Sequence, residues 1–587
     1  MAEINTANIN AVWGSLIVEE LIRNGVNYFC ISPGSRSTPL VAAIASHPDS
    51  DSMIHFDERG TAFHALGYAR AMGRPAAVVC TSGTAVANLL PAVVEASMDM
   101  VPMILLTADR PPELRNTGAN QTVRQSGIFS DYTRFSVDMP CPDVQIDPRF
   151  VLTTVDQAVY RSLRSPAGPV HLNCMFREPL APTPTGESFG AYFEPAQGWI
   201  DSDRPYSEYH LPDTLLPDAA IDKLVRLLRD TRQGVLVIGR LHSDRDRMAA
   251  LELSDALKWP TFSDILSGLR LGASPRQIVH HYDLLLSSKE FTKAHRPQVC
   301  LHIGDQIISK RLSQYLERCA PSYIHLTDHP RRHDPTHLVT HRFEAVIAPT
   351  CAALARKVSP DADTDWLQLF QKCDQTIKKM LCDRLVSDSK LSEPAASYAL
   401  SKWMDAGSSL FLASSMPVRD MDSLAAADGA QAQVVANRGA SGIDGSIATA
   451  AGYAAGSGKP VTMLIGDLAL LHDLNSLAML KEFPIPITIV VFNNDGGGIF
   501  SSLPIAEHRN IFEKYFATPH KMQFHKIASQ FGLQYHLPYD MASFIGALND
   551  SRASGRSSLI ELTLDRDRNL AFHREILESV RALLEGV

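Results

Sequence analysis

VTMLIGDLALLHDLNSLAMLKEFPIPITIVVFNNDGGGIF, running from Val461 to Phe500, decides the fold. Its opening apolar run, Val461–Ile465, predicts a buried strand that ends in Gly466-Asp467. A helical run (His472–Lys481) follows, then Pro484 and Pro486. A second apolar strand, Ile487–Phe492, ends in Asn493-Asn494. A crossover of this kind places the two strands parallel in one sheet. Ligands of such sheets sit at the carboxyl ends of the strands, so Asp467 and Asn494 are expected side by side there. Gly496-Gly497-Gly498 leaves the backbone free to approach closely. Two hard oxygen donors and the Gly496 carbonyl suit Mg²⁺, which prefers octahedral oxygen coordination completed by phosphate and water. Turn preference alone accounts for either half taken singly. The two halves joined by one crossover point to a metal.

Outward from this unit, the 587-residue length predicts about three or four domains. An apolar share of 45% and a charged share of 20% are those of an ordinary globular protein. A net charge of −9 without any Lys/Arg run argues against nonspecific nucleic-acid binding. The nine cysteines are scattered and form no C-x-x-C, which predicts reduced core thiols in a cytoplasmic protein. MAEINTANINAVW has no basic segment followed by an apolar one, so no signal peptide is expected. No apolar run approaches membrane-spanning length.

Toward the N-terminus, strands and helices alternate. Asn8–Asn24 has helical spacing and stops at Gly25. The strand Tyr28–Ile31 leads into Ser32-Pro33-Gly34-Ser35-Arg36, a turn able to receive an anion, with Arg36 as countercharge. After Ile54–Gly60 come a helix (Thr61–Ala71), a strand (Ala76–Cys80), a helix from about Ala85 and a strand (Pro102–Thr107). Pro169–Asn173 closes the domain. The alternation signals a doubly wound parallel sheet.

Pro179–Pro217 is rich in Pro, Ser, Asp and Gly, and predicts a surface linker. A second α/β domain carries strands at Gly234–Gly239, Val299–Asp305 and Ser322–Asp328. It lacks the G-x-G-x-x-G of a dinucleotide site. His329, His333, His337 and His341 invite a metal, but Pro330 and Pro335 break the helical spacing and no Cys or Glu completes a ligand set. Thr364–Asp388 reads as a connecting helix, and Ser392-Glu393-Pro394 as the start of the third domain. The expected boundaries are 1–185, a linker 186–218, a central domain 219–360, a connecting helix 361–390 and a last domain 391–587.

The Gly466-Asp467 to Asn493-Asn494 spacing resembles the diphosphate-anchoring motif of thiamine-diphosphate enzymes, with Leu468 where many members carry a third glycine. HFDERGTAFHALGYARAMGRPAAVVCTSGTAVANLLPAVVEA, which contains Glu58, follows the same family's pyrimidine-binding domain. The resemblance implies three doubly wound α/β domains: pyrimidine-binding, central and diphosphate-binding. It makes Glu58 the catalytic acid–base group on the cofactor's aminopyrimidine, in a site kept dry. A carboxylate favoured by a helix dipole is the plainer reading of Glu58. By the same resemblance Ser415, Ile443, Gly466, Asp467 and Asn494 bind cofactor, with Ile443 wedged beneath it. Asp467, Asn494 and Gly496 hold Mg²⁺, for which Mn²⁺ can substitute.

SPGSRSTPL (Ser32–Leu40), TADRPPELRNTGANQTVRQ (Thr107–Gln125), NRGASGIDG (Asn437–Gly445) and NNDGGGIFSSLP (Asn493–Pro504) are similar to one branch of that family, in menaquinone biosynthesis. Its members decarboxylate 2-oxoglutarate and add the succinic-semialdehyde unit to isochorismate. Both substrates are dicarboxylates, and arginine binds carboxylate bidentately. The matched motifs imply substrate contacts from Ser35, Arg36, Arg110, Gln121, Lys310, Arg311, Arg419, Arg438, Phe500 and Leu503. They also imply a homodimer or homotetramer in which Glu58 of one subunit meets the metal site of its neighbour. The alternatives are an acetolactate-synthase-like enzyme or another thiamine-diphosphate 2-oxo acid decarboxylase or carboligase, and a binding protein that keeps the fold without the chemistry.

Overall fold

The computed structural model describes residues 4–272, 275–319, 321–359, 362–387 and 390–585. Three parallel sheets are present. In the first, the strands run in the order Asp51–Ile54, Tyr28–Ile31, Ala76–Cys80, Met103–Asp109, Pro169–Met175, Phe135–Met139. Successive side chains of one strand feed opposite cores. Phe29, Ala77, Val79, Ile104 and Leu106 enter one cluster, while Cys30, Val78, Met103 and Leu105 enter the other. Strands buried on both faces read as continuous apolar runs, which is why the central ones are legible in the sequence.

The second sheet has the order Val339–Glu344, Ser322–Thr327, Val299–Ile303, Gly234–Ile238, Thr261–Ser263. The third is Val434–Val435, Ser409–Leu412, Val461–Gly466, Ile487–Asn493, Ser558–Thr563, Gln534–His536. Gly466 pairs with Phe492, so the two chain-ends that follow leave the sheet together.

The chain divides into two compact units. One comprises residues 1–212, 437–459 and 471–485 and holds the first sheet. The other comprises 213–436, 460–470 and 486–587 and holds the remaining two. Among the described residues no helix is long and apolar enough to cross a membrane. All nine cysteines are free, and Cys319 and Cys382 alone are not fully buried.

Several local expectations shift. The crossover helix starts at Asp467 rather than His472, and runs to His472 before a 3₁₀ stretch, Leu474–Lys481. The helix after Ile54–Gly60 begins at Glu58, because Asp57 caps it by accepting the Arg59 N–H at 3.0 Å. The stretch read as a surface linker contains short helices at Gly190–Phe193 and Gln197–Ile200. Phe189, Tyr192 and Trp199 from it are buried in the first core. Trp13 Nε1 donates to the Tyr192 hydroxyl at 2.9 Å, which ties that stretch to the first helix. The connecting helix is Thr364–Ser387; Asp388 lies outside the described residues.

Candidate active site

The Asp467–Asn494 pair sits where two adjacent parallel strands end. Asp467 is buried, and its Oδ2 accepts the Gly496 N–H at 2.9 Å and a hydrogen bond from His520 Nε2 at 3.1 Å. Burial raises its carboxyl above the ordinary carboxylate range, against the pull of these donors. Asn494 Nδ2 donates to Glu393 Oε1 at 2.6 Å. Asn494 Oδ1 is buried without any hydrogen-bond partner. A buried acceptor left unpaired costs about 1–3 kcal/mol, so a ligand is expected on it.

Glycines complete the rim. At Gly466 an added Cβ would meet nothing within 4 Å, so open space lies beside Asp467. Gly496 has φ 126°, and a Cβ there would fall 2.0 Å from the Ala517 carbonyl oxygen. A side chain at Gly496 is excluded both by conformation and by space. The donors on offer (a carboxylate, an amide oxygen, a glycine carbonyl) are hard oxygens, and they fit Mg²⁺ with a diphosphate.

Ser415 precedes the helix Met416–Leu424 with φ 78° and ψ −133°, a conformation rare for a residue with a Cβ. Held strain of this kind concentrates at ligand sites. Arg419 Nη1 donates to the Ser415 carbonyl, and Arg419 itself is exposed. Arg311 pairs with Asp283, which also accepts from the Ser309 and Ser423 hydroxyls at 2.6 Å each. Lys310 is exposed at the start of the helix Lys310–Cys319. Phe500 is half-buried with its ring edge-on to Phe516, and Leu503 is exposed.

In the other unit, Glu58, Ser35, Arg36 and Arg110 all follow carboxyl ends of strands in the first sheet or the helix leading from it. Glu58 is half-buried in the first turn of its helix, and its Oε2 accepts from Asn88 Nδ2 at 3.3 Å. Arg36 is buried; it donates to the Phe176 carbonyl at 3.0 Å and pairs with Glu178 at 3.2 Å. Burial and the nearby Arg110 both lower the Arg36 pKa. Arg110 Nη2 reaches Gln121 Oε1 at 3.5 Å, and Ser35 and Gln121 are exposed. The structure thus brings Arg36, Arg110 and Gln121 to one edge. Arg438 is half-buried, and Ile443 is exposed on the loop between it and the helix Ser446–Ser457. That loop is held by Glu95, whose two carboxylate oxygens accept the Gly439 and Ala440 N–H groups at 2.8 and 2.6 Å.

Two neighbours of the Asp467–Asn494 pair carried no motif. His520 lies 53 positions beyond Asp467, and Glu393 reads locally as a helix-start acid and nothing more. Only the fold brings them in. The histidine cluster of the central domain also changes its meaning. Asp305, from a different strand end, joins the cluster, with His329 Nε2 at 2.8 Å and His333 Nδ1 at 3.9 Å from Oδ1. The Arg331 backbone N–H donates to His329 Nδ1 at 3.1 Å. With Nδ1 accepting, His329 donates from Nε2 to Asp305. His242 takes Asp305 Oδ2 at 2.9 Å. His337 and His341 are engaged elsewhere, with Arg332 and Thr340.

Comparison with known proteins gives the family of each domain. Residues 13–128 match the thiamine pyrophosphate enzyme N-terminal TPP binding domain, 190–412 the middle domain of thiamine pyrophosphate enzymes, and 422–562 the C-terminal TPP binding domain. The 2-succinyl-5-enolpyruvyl-6-hydroxy-3-cyclohexene-1-carboxylate synthase of Rubrobacter xylanophilus is 52% identical over 97% of this chain and 98% of its own. The enzymes of that name from Salinibacter ruber and Prosthecochloris aestuarii are 46% and 42% identical, over 99% and 98% of both chains respectively. A chain with these three domains, similar from end to end to these relatives, belongs to the 2-succinyl-5-enolpyruvyl-6-hydroxy-3-cyclohexene-1-carboxylate synthase family of thiamine pyrophosphate enzymes.

Proposed function

We propose that this protein is a thiamine-diphosphate- and Mg²⁺-dependent transferase of menaquinone biosynthesis. It decarboxylates 2-oxoglutarate and joins the remaining four-carbon unit to isochorismate, giving 2-succinyl-5-enolpyruvyl-6-hydroxy-3-cyclohexene-1-carboxylate. The observation that carries this reading is the partnerless buried Oδ1 of Asn494 beside the buried Asp467, in a chain whose full-length relatives bear that product's name.

When bound, thiamine diphosphate supplies a nucleophilic carbon and an electron sink for decarboxylation. The chain's residues do the rest. Asp467, Asn494 and the Gly496 carbonyl would hold the ion, and Gly466 and Ser415 would line the diphosphate. Ile443 offers an apolar surface to the rings. Glu58 would accept a hydrogen bond from the aminopyrimidine ring nitrogen and hold or release the proton there. Arg36, Arg110, Lys310, Arg311, Arg419 and Arg438 bind the carboxylates of the two substrates, with Ser35, Gln121, Phe500 and Leu503 shaping the pocket. Arg311 enters with one guanidinium edge already held by Asp283, which orients it.

The working form is a cytoplasmic homodimer or homotetramer in which Glu58 of one subunit serves the ion site of its neighbour. Inactivity of a monomeric variant, with activity restored by mixing Glu58→Gln and Asp467→Ala chains, tests this. The reaction itself is tested by mass spectrometry of the product formed from isochorismate and 2-oxoglutarate with Mg²⁺. Preference for pyruvate over 2-oxoglutarate would instead favour an acetolactate-type carboligase.

A further inference from the structure

Asn494 can serve as an ion ligand only if its amide oxygen, and not its NH₂ group, faces the ion. An amide has two nearly isosteric ends, so something must choose between them. The choice traces back to a backbone group. The Glu393 N–H, necessarily a donor, is accepted by Asn569 Oδ1 at 3.0 Å. Asn569 therefore presents Nδ2 on its other side, and this donates to Glu393 Oε1 at 3.2 Å. As a carboxylate oxygen Glu393 Oε1 accepts from both amides, so what faces it from Asn494 at 2.6 Å is Nδ2. Oδ1 is left pointing away, buried and unpaired. Glu393 and Asn569 are themselves buried, so water cannot substitute for either.

We infer that Glu393, set by Asn569, is a positioning residue that fixes the Asn494 amide with its oxygen toward the divalent ion. This rests on the reading of Asp467 and Asn494 as ion ligands. Partners behind a metal ligand are commonly worth about 10–100-fold in metal affinity. A carboxylate that merely stabilised the first turn of its helix would leave ion affinity alone.

The test is Mn²⁺ binding to the full-length protein with thiamine diphosphate, read by electron paramagnetic resonance of the free ion. Glu393→Met should weaken Mn²⁺ by about 10–100-fold. Glu393→Gln, which keeps an acceptor oxygen at the Oε1 position, should restore most of that loss. In an Asn494→Asp background both ligand atoms are oxygens and no orientation is needed, so there Glu393→Met should leave Mn²⁺ affinity unchanged or tighten it. An equal loss in both backgrounds, or no loss in either, overturns the inference. If Glu393→Met does not fold, Asn569→Ala carries the same comparison, with the same signs expected. Asn494→Ala and Asp467→Ala are measured alongside. If they leave Mn²⁺ affinity unchanged, the ligand assignment itself falls, and this inference with it. If they weaken it while the Glu393 and Asn569 variants do not, only the positioning role falls.

Discussion

Gly67 lies so close to Thr449 that a Cβ added to it would stand 2.1 Å from the Thr449 carbonyl oxygen. The reverse holds three residues along, where a Cβ at Gly452 would stand 1.9 Å from the carbonyl oxygen of His64. The helices Glu58–Met72 and Ser446–Ser457 therefore cross backbone to backbone, and the second fixes the axis on which Glu58 is carried. Gly67→Ala should destabilise the protein by about 1–3 kcal/mol, the usual cost of overpacking, and lower activity through misplacement of Glu58. Chemical denaturation and steady-state rates on the same preparation check both. An unchanged denaturation midpoint would show that the helices can slide apart without cost.

Glu58→Gln keeps size and shape at a half-buried position, so the fold should be retained. Activity should fall by about 10²–10⁴, the range for a lost acid–base group. Cofactor affinity, measured by calorimetry, should change far less than the rate. Wild-type turnover in the variant would remove Glu58 from the chemistry.

Glu20 accepts the Trp199 indole N–H at 2.5 Å and the Tyr206 N–H at 2.6 Å, clasping the 186–212 stretch to the first helix. Burial, reinforced by neighbouring Asp156, pushes its carboxyl from 4.5 up to about 9. The folded chain thus keeps a proton that the unfolded chain releases. The stability this contributes is complete below pH 4.5 and is lost as pH rises toward 9. Glu20→Gln removes the titrating group, with its NH₂ set against one of the two N–H donors, so its stability has no such fall with pH. Its melting temperature, compared with wild type at each pH from 5 to 9, should gain steadily as pH increases. A difference that stays flat with pH would mean Glu20 is ionised in the native protein.

Removal of the ion should be visible in stability as well as in rate. At about 100 times its dissociation constant a ligand of the native state adds about 2.7 kcal/mol. Mg²⁺ with thiamine diphosphate should therefore raise the melting temperature of the wild type, and a chelator should reverse the gain. In Asp467→Ala the same additions should produce little shift. A full shift in that variant would place the ion elsewhere.

Central strands such as Ala76–Cys80, Val461–Gly466 and Ile487–Asn493, and the Asp467 and Asn494 that follow two of them, were legible because a strand buried on both faces is a continuous apolar run, whereas the interior strands Ser409–Leu412 and Ser558–Thr563 were not read. The helix that carries Glu58 was legible, although it starts three residues earlier than spacing suggested, because a cap at Asp57 outranks the apolar pattern. Edge strands such as Asp51–Ile54, with mostly exposed side chains, left no such mark.

By itself, then, the sequence determined the continuous apolar strands such as Ala76–Cys80, Val461–Gly466 and Ile487–Asn493 and the polar groups that stand at their ends, because both follow from patterns a few residues long. Tertiary structure alone decided that Trp199 belongs to the first core, and that Glu95 holds a loop 344 positions away. It alone decided that Asn569 and Glu393 choose which end of the Asn494 amide is left unpaired. Those are hydrogen bonds and burial between residues far apart in the chain. No local pattern encodes them, because each partner acquires its role only when the fold brings the other within reach.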